Sequence, residues 1–155
     1  MITSHRESLP DIAPQTLYRL LKLRVDVFVV EQAAAYPELD GRDDEPDTEH
    51  FWAEEEGEIL ATLRLLRDPD AARIGRVATA VSARGRGLAA ELMQQAVERA
   101  AERWPQHPID IDAQAHLAPW YGRFGFVVNG PEFVEDDIPH LPMRRAAGIP
   151  LPAAG

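Results

Sequence analysis

Cysteine is absent from this chain of 155 residues, and lysine occurs only at position 22. The lack of cysteine excludes a disulfide framework, a thiol nucleophile and a thiolate metal site. Apolar runs also stay well short of the roughly 18 residues that a membrane-spanning helix needs, so we expect no membrane insertion. The opening MITSHRESLP does not have the basic start and apolar segment of a secretory signal. We therefore expect a cytoplasmic protein.

Positive charge is scarce as well, because 16 Lys and Arg face 26 Asp and Glu, giving a formal net charge of -10. Nucleic acids are bound by a surplus of basic side chains, so we expect no nucleic-acid partner and favour a cationic or amine ligand. The five histidines are scattered without an i, i+4 pair, and we expect no metal. No serine lies in a Gly-x-Ser-x-Gly elbow, which disfavours a hydrolytic triad.

The length of the chain fits one hydrophobic core, since a chain of this size buries roughly 70% of its unfolded surface. We expect a single domain over 1–146 and a disordered tail over 147–155. Hydrophobic periodicity predicts elements in the order α-β-β-β-α-β-α-β-β. The predicted elements are a helix at 14–31, strands at 50–53, 59–66 and 73–81, a helix that starts at 88 and closes at 104–105, a strand at 109–113, a helix at 117–124, and strands at 126–128 and 138–143.

An acidic loop, 33–49, separates the first predicted helix from the first predicted strand. Its prolines, glycine and many carboxylates show almost no apolar pattern. Loops of this length in compact domains are usually functional or disordered. Asp40, Asp43 and Asp44 could draw in an ammonium group, although a run of charges more often only keeps a loop solvated.

The strongest chemical signal is the run Arg84-Gly85-Arg86-Gly87-Leu88-Ala89, where a predicted strand leads into the strongest predicted helix. Glycines let a backbone approach a ligand closely, and the first helical turn offers unpaired N–H groups at the positive end of the helix dipole. The two guanidinium groups suit phosphate and give a local excess of positive charge in an acidic protein. The run therefore predicts an anion-binding turn.

Two other interpretations of this turn remain open. A tight strand-to-helix connection would need the glycines only for the turn, with both arginines facing water. A dinucleotide-binding turn also fits, because Gly85-x-Gly87-x-x-Ala90 matches a Gly-x-Gly-x-x-Ala fingerprint and Asp110 or Asp112 follows about 20 residues later. Against it, that fingerprint normally opens its domain, whereas here a helix and three strands come first.

Two motifs in the right order resemble those of the GNAT acyltransferase superfamily. Arg84-x-x-Gly87-x-Ala89 is similar to its Q/R-x-x-G-x-G/A coenzyme A motif, and QAHLAPWYGRFGF at 114–126 resembles its second signature. The segments LRVDVFVVEQ, ELDGRDD and DDIPHLPM resemble the ElaA-like branch of that superfamily. There are two departures: Gln114 stands where Asn is commoner, and the predicted strand 73–81 has no Glu to act as the base that many members use.

The resemblance implies an α/β (mixed α+β) fold with a central mixed, mostly antiparallel sheet of about six or seven strands flanked by helices. It also implies an N-acetyltransferase that moves an acetyl group from acetyl-CoA to an amine acceptor. The cofactor-binding residues that it implies are Val77, Ala78, Thr79, Arg84, Gly85, Arg86, Gly87, Leu88, Ala89 and Gln114.

The catalytic candidates follow from the same resemblance. Tyr121 is expected to be the general acid that protonates the leaving thiolate, and its other interpretation is a core residue. Glu31, His116 and His140 are candidates for the general base, with His116 favoured by its place between Gln114 and Tyr121. The missing strand Glu keeps open a non-catalytic domain that senses acetyl-CoA or binds a partner. A homodimer is a further expectation.

Overall fold

The computed structural model describes residues 1–150. Mixed helices and strands alternate along the chain. The helices are α1 (Pro14–Val25), which continues as a π-helix (Asp26–Glu31), α2 (Leu88–Arg103) and α3 (Ala118–Gly122). The strands are β1 (Thr3–Glu7), β2 (Glu49–Glu55), β3 (Glu58–Arg67), β4 (Ala72–Thr79), β5 (Ile109–Gln114), β6 (Val127–Val128), β7 (Phe133–Glu135) and β8 (Ile138–Arg145).

One sheet contains all eight described strands, in the order β1-β2-β3-β4-β5-β8-β6, with β7 also paired to β8. Every pair is antiparallel except β4 with β5. The predicted mixed, mostly antiparallel sheet is therefore confirmed, with eight strands where six or seven were expected. A sheet with one parallel pair is not the doubly wound sheet of a dinucleotide-binding fold, so that alternative is wrong.

The two long helices cover opposite faces of the sheet. In β2, Phe51 and Ala53 belong to the core cluster that packs on α2, whereas Trp52 belongs to the cluster that packs on α1. Successive side chains of a strand point to opposite faces, which separates the two clusters. The apolar stripe predicted for α2 is confirmed, since its central residues are completely buried: Leu92, Met93, Ala96 and Val97.

Two edge strands were not predicted from the sequence. β1 reads Thr-Ser-His-Arg-Glu and is mostly exposed, so it has no apolar alternation to detect. Backbone pairing with β2 holds it, together with a stack of His5 on Trp52 at 5.1 Å between ring centroids. β7 is only three residues long and pairs with β8. Short, polar edge strands are common because they discourage pairing with other chains.

The predicted helix 14–31 has the expected extent, but its last six residues are π-helical and not α-helical. α1 ends at Val25, and the remaining residues Asp-Val-Phe-Val-Val-Glu form a π-helix. β-branched residues crowd an α-helix, and π-helical turns are rare and concentrated at functional sites. Strand 73–81 is also shorter than predicted, since β4 ends at Thr79 and a 3₁₀ turn, Val81–Ala83, follows.

The chain beyond β8 is described only as far as Pro150. Arg145, 4% exposed, donates from Nη2 to the carbonyls of Ile149 and Pro150 at 3.1 and 2.8 Å. Two residues of the predicted disordered tail, 147–155, thus contact Arg145. Its last five residues lie outside the described part of the chain.

Candidate active site

The two parallel strands, β4 and β5, stay paired for only two residues. Ala72 lies opposite Ile109 and Arg73 opposite Asp110, and the pairing ends there. Beyond this point β4 remains paired only with β3 on its other edge, and β5 only with β8. The facing edges therefore diverge and leave backbone N–H and C=O groups available to an extended ligand.

A bulge in β4 accounts for the divergence. Thr62 of β3 lies opposite Ala78 and Arg64 lies opposite Gly75, so β4 contains one residue more than β3 over this span. An extra residue bends a strand and increases its twist. Arg76, at the bulge, has φ of 53°, in the left-handed region that residues other than glycine rarely occupy. Backbone strain of this kind persists where surrounding contacts hold it, and it is concentrated at functional sites.

The diverging strands open into a cleft of about 390 Å³. Its walls come from β4, β5, β8, α3, the π-helix and the acidic loop. The residues that line it include Phe28, Gln32, Val77, Gln114, Tyr121 and His140. Two predicted catalytic candidates therefore face the same cleft as two predicted cofactor-binding residues.

The predicted anion-binding turn lies between β4 and α2. Gly85 and Gly87 have φ of 82° and 75°, which favours glycine, and α2 begins directly afterwards at Leu88. A Cβ atom added to either glycine would meet nothing within 4 Å, so the turn is open on that side. Within residues 1–150, the amides of 85–90 donate to no backbone acceptor. Free amides at the start of a long helix can bind an anion.

Both arginines of this turn already have carboxylate partners. Nη1 and Nη2 of Arg84 donate to Glu31 at 2.7 and 2.6 Å, and its Nε donates to the Thr79 carbonyl at 3.3 Å. Arg86 makes longer contacts with Glu55, at 3.5 and 3.4 Å. The predicted local excess of positive charge is therefore wrong, because each guanidinium is balanced by an acid that is distant in sequence.

Tyr121 belongs to both the core and the cleft. It is 8% exposed, and its ring packs edge-on against Trp120 and Phe126 with centroids 4.9 and 6.4 Å away. The residue also lines the cleft. Burial raises the pKa of its phenol to about 12, so the hydroxyl keeps its proton at neutral pH. The two interpretations of Tyr121, core residue and proton donor, are therefore compatible.

His140 lies on β8 opposite Gln114 and stacks on Phe133 with ring centroids 5.6 Å apart. Its Nδ1 is 2.7 Å from the carbonyl oxygen of Ile138. Because a carbonyl only accepts, Nδ1 carries the proton of the neutral ring and Nε2 keeps its lone pair. The cleft wall thus contains a ring nitrogen able to accept a proton.

The other two candidate bases do not line the cleft. His116 sits exposed on a 3₁₀ turn, Ala115–Leu117, and it is Leu117 of that turn that faces the cleft. Both carboxylate oxygens of Glu31 accept hydrogen bonds from Arg84, which lower the pKa of Glu31 and make it a poor proton acceptor. Closeness in sequence to Gln114 favoured His116, but a one-residue step around a tight turn points its side chain away from the cleft.

The acidic loop is not a free negative surface. Arg24, 1% exposed, donates to Glu38 at 2.5 Å and to Asp43 at 2.6 Å. Arg64 donates to Asp40 at 2.6 Å and to Asp43 at 3.1 Å. Burial alone would raise the pKa of Asp43, but the hydrogen bonds and charges of the two arginines outweigh it and hold the pKa below its usual value. Neither predicted role, solvation or attraction of an ammonium group, therefore holds for Asp40 and Asp43.

Arg76 joins the same set of charges from the bulge in β4. Its Nη2 donates to the Glu38 carbonyl at 3.2 Å and to Asp40 at 3.3 Å, and its guanidinium lies 5.2 Å from the centre of the Tyr36 ring. Asp44, by contrast, is exposed. We call Arg24, Glu38, Asp40, Asp43, Arg64 and Arg76 the buried ion-pair network, after its three buried members Arg24, Glu38 and Arg64. It ties the acidic loop to the bulge, and so to one wall of the cleft.

Some of these residues had a signal in the sequence and others had none. Arg24 falls within the apolar stripe of α1, and Arg64 interrupts the apolar strand β3. A charge at a core position signals a buried partner, because an unpaired buried charge is very costly. Gln32 had no such signal. Its Oε1 accepts a hydrogen bond from Gln114 Nε2 across the cleft at 3.3 Å.

Two features are absent from residues 1–150. No group of three or more His, Asp or Glu side chains in that range could hold a metal ion. No helix in the same range has both the length and the apolar character needed to traverse a bilayer.

Comparison with known proteins gives a consistent result. The family model for the acetyltransferase (GNAT) domain matches residues 9–147. A UPF0039 protein of Mycobacterium tuberculosis is 48% identical over 140 residues, covering 87% of this chain and 87% of the relative. Protein ElaA of Escherichia coli is 37% identical over 138 residues, covering 87% of this chain and 90% of ElaA.

Solved structures agree with the sequence relatives. An acyl-CoA N-acyltransferase from Pseudomonas aeruginosa has a TM-score of 0.89 at 45% identity, covering 94% of this chain and 100% of its own. The crystal structure of Escherichia coli ElaA has a TM-score of 0.88 at 35% identity, covering 94% and 99%. The fold is therefore shared along almost the whole chain.

Proposed function

Because the chain belongs to the GNAT acetyltransferase family, we propose that it transfers an acetyl group from acetyl-CoA to an amine acceptor. One observation supports this most strongly. The unpaired edge of β4 is followed, after the short 3₁₀ turn Val81–Ala83, by a turn whose amides are free, so a strand-like ligand arm and an anionic group could bind along one path. Coenzyme A has both parts, an extended pantetheine arm and a pyrophosphate.

The residues along this path fit the two parts of coenzyme A. The free amides of 85–90 and the positive end of α2 suit the pyrophosphate, and the open side of Gly85 and Gly87 lets it approach. The β4 edge at 77–79 would pair with the pantetheine arm as an added strand would. Gln114, on the opposite wall, would hydrogen-bond the same arm after releasing Gln32.

The chemistry needs an amide to hold the developing oxyanion, a base for the amine and an acid for the thiolate. A backbone N–H from the β4 edge would serve the oxyanion, a role worth about 3 to 4 kcal/mol in other enzymes. His140 replaces His116 and Glu31 as the favoured base, because its Nε2 has a lone pair on the cleft wall. Tyr121 is the acid, because its hydroxyl stays protonated until the leaving sulfur needs a proton.

The direct test is release of free thiol from acetyl-CoA in the presence of an amine panel covering polyamines, aminosugars, amino acids and peptide N-termini. We expect amine-dependent release that is lost on mixing with a competing amount of desulfo-coenzyme A, which has no thiol of its own. Longer acyl-CoA donors tested beside acetyl-CoA would establish the donor. Failure of every amine to accelerate thiol release, with acetyl-CoA bound, would contradict catalysis.

A second candidate is a domain that binds acetyl-CoA without turning it over. The observation that favours it is the lack of any carboxylate on β4, which reads Ala-Arg-Ile-Gly-Arg-Val-Ala-Thr. Tight binding of acetyl-CoA with no thiol release would support this candidate. The single domain over 1–146, the cytoplasmic location and the homodimer remain predictions, and sedimentation velocity would test the last of these.

A further inference from the structure

The carboxylate of Glu31 binds Arg84 with the same two-point geometry that a phosphate uses. Each terminal nitrogen of Arg84 donates to a different oxygen of Glu31, at 2.7 and 2.6 Å. The planar guanidinium fork binds two oxygens of a phosphate in the same way. Since the fork has one bidentate face toward Glu31, an incoming phosphate group and Glu31 would compete for it.

The Arg84–Glu31 pair is exposed enough to exchange. The two side chains are 43% and 41% exposed, so little desolvation holds them together, and pairs of this kind contribute little to stability. The pyrophosphate of acetyl-CoA carries two negative charges against one on a carboxylate, and the free amides of 85–90 would add donors that Glu31 does not use. The carboxylate is therefore the weaker of the two ligands for this turn.

Glu31 also ends a segment that forms part of the cleft wall. It is the last residue of the π-helix, from which Phe28 reaches the cleft. The next residue, Gln32, is hydrogen-bonded to Gln114 across the cleft. When Arg84 releases Glu31, the C-terminal end of the π-helix loses its bidentate tie to the turn before α2.

We propose that Glu31 is an internal ligand of the cofactor site: it occupies Arg84 until the phosphates of acetyl-CoA displace it, and its release loosens the segment that closes one wall of the cleft. The inference rests on the proposed function, and it gives Glu31 a role other than that of a base. Binding of the cofactor thereby prepares the cleft for the acceptor amine.

Titration calorimetry with acetyl-CoA tests the displacement. Replacing Glu31 by Gln removes the competing carboxylate, so we expect the Kd for acetyl-CoA to fall about two- to fivefold, the range that an exposed pair supports. Asp26→Asn is the matched control, because it removes one negative charge from the first residue of the same π-helix, where Asp26 pairs with Lys22 at 2.7 Å. That control should leave the Kd unchanged.

A double replacement separates direct competition from a general charge effect. Arg84→Gln should weaken binding of acetyl-CoA, and adding Glu31→Gln to it should give no further gain. Hydrogen exchange supplies an independent readout, because the amides of Gln32 and Ala34 donate to carbonyls of the π-helix. In the wild-type chain these amides should exchange faster once acetyl-CoA is bound, and in Glu31→Gln they should exchange fast already.

The outcomes separate this inference from the proposed function. Acetyl-CoA binding that is unchanged or weaker in Glu31→Gln would overturn the inference while the proposed function stands, since Glu31 would then be neutral or would hold Arg84 ready for phosphate. Slower exchange of the Gln32 and Ala34 amides on binding would also overturn it. A wild-type chain that does not bind acetyl-CoA at all would overturn both.

Discussion

Two regions of the molecule use guanidinium and carboxylate groups in opposite ways. We call the buried ion-pair network, which adjoins the cleft, the closed end, and the exposed Arg84–Glu31 pair before α2 the open end. At the closed end, Arg24 and Glu38 are 1% and 4% exposed within the buried ion-pair network. At the open end, Arg84 and Glu31 make hydrogen bonds that are just as short, yet their side chains are more than 40% exposed. Bond length alone therefore does not distinguish a permanent contact from an exchangeable one.

Burial decides the difference between the two ends. Removing one partner of a buried pair leaves an uncompensated charge in a medium of low dielectric constant, whereas water takes over the role of a missing partner at the surface. The closed end is therefore suited to hold the β4 bulge, with Arg76 in its strained conformation. The open end is suited to give up its partner to a ligand.

The largest expected effect is a loss of stability at the closed end, and it is the most severe test of this comparison. Arg24→Met leaves Glu38 and Asp43 without their most buried partner and should lower the free energy of unfolding by about 3–5 kcal/mol. Arg84→Met, the matched change at the open end, should lower it by less than about 1 kcal/mol. Urea denaturation of both variants checks the contrast. Similar losses in the two variants would show that burial does not set the strength of these pairs.

Tyr121 lines the cleft, and the loss of its hydroxyl is the next largest expected effect. Tyr121→Phe should lower kcat by about 100-fold, the typical contribution of a general acid, with the KM for acetyl-CoA little changed. Because burial raises the pKa of this phenol to about 12, titration of Tyr121 should not shape the wild-type profile below about pH 10. Thiol-release kinetics with an amine found in the panel would measure this.

The stability of Tyr121→Phe serves as its control. The ring packs against Trp120 and Phe126 in either form, so thermal unfolding should be nearly unchanged. A variant that keeps full activity and the same pH profile would remove Tyr121 from catalysis and leave only its role in the core.

A smaller effect, on the affinity for acetyl-CoA, is expected at the turn that contains Arg84. Gly87→Val places a branched side chain at φ of 75° and on the side of the turn where nothing lies within 4 Å. The strain alone is about 1–2 kcal/mol, and relaxing it would turn the amides away from the ligand, so acetyl-CoA should bind at least about tenfold more weakly. Calorimetric titration would give the affinity.

Gly57→Val is the matched control for that strain. Gly57 has φ of 80° in the β2–β3 hairpin, with its nearest neighbour, an Arg19 nitrogen, 3.9 Å from a built Cβ. It should lose comparable stability and keep its affinity for acetyl-CoA. An equal loss of affinity in the two variants would show that general destabilisation, rather than the turn, explains the result.

The parts of the fold that could be predicted are those with a strong local pattern. The apolar stripe of α2 and the glycines of the turn can be recognised from a local pattern of about 20 residues, and both lie where expected. β1 and β7 could not be found, because edge strands need no apolar face. The π-helix was missed because its sequence also fits an α-helix, and only tertiary packing chooses between them.

The candidate site was less predictable, because its key contacts join residues far apart in sequence. Arg84 reaches Glu31 across 53 positions, and Gln114 reaches Gln32 across 82. A charge count along the chain cannot show that the acidic loop is neutralised by Arg24 and Arg64. It also cannot show that a single step along a 3₁₀ turn points His116 away from the cleft and Leu117 into it.

The smallest expected effect is on the loss of stability at low pH. Arginines hold the pKa values of Asp40, Asp43 and Glu31 below their usual range, although burial opposes this. Such carboxylates stabilise the fold above their unfolded pKa, about 4, and lose that contribution as the pH falls through the folded value. Stability should therefore drop below about pH 4 through Asp40 and Asp43, together with Glu49 and Asp68, whose pKa values arginines also lower. Because Glu31 is exposed, Glu31→Gln should change the drop, measured by urea titrations from pH 7 to pH 3, by less than about 0.5 kcal/mol. If Glu31→Gln abolished most of the drop, the Arg84–Glu31 pair at the open end would be the stronger of the two.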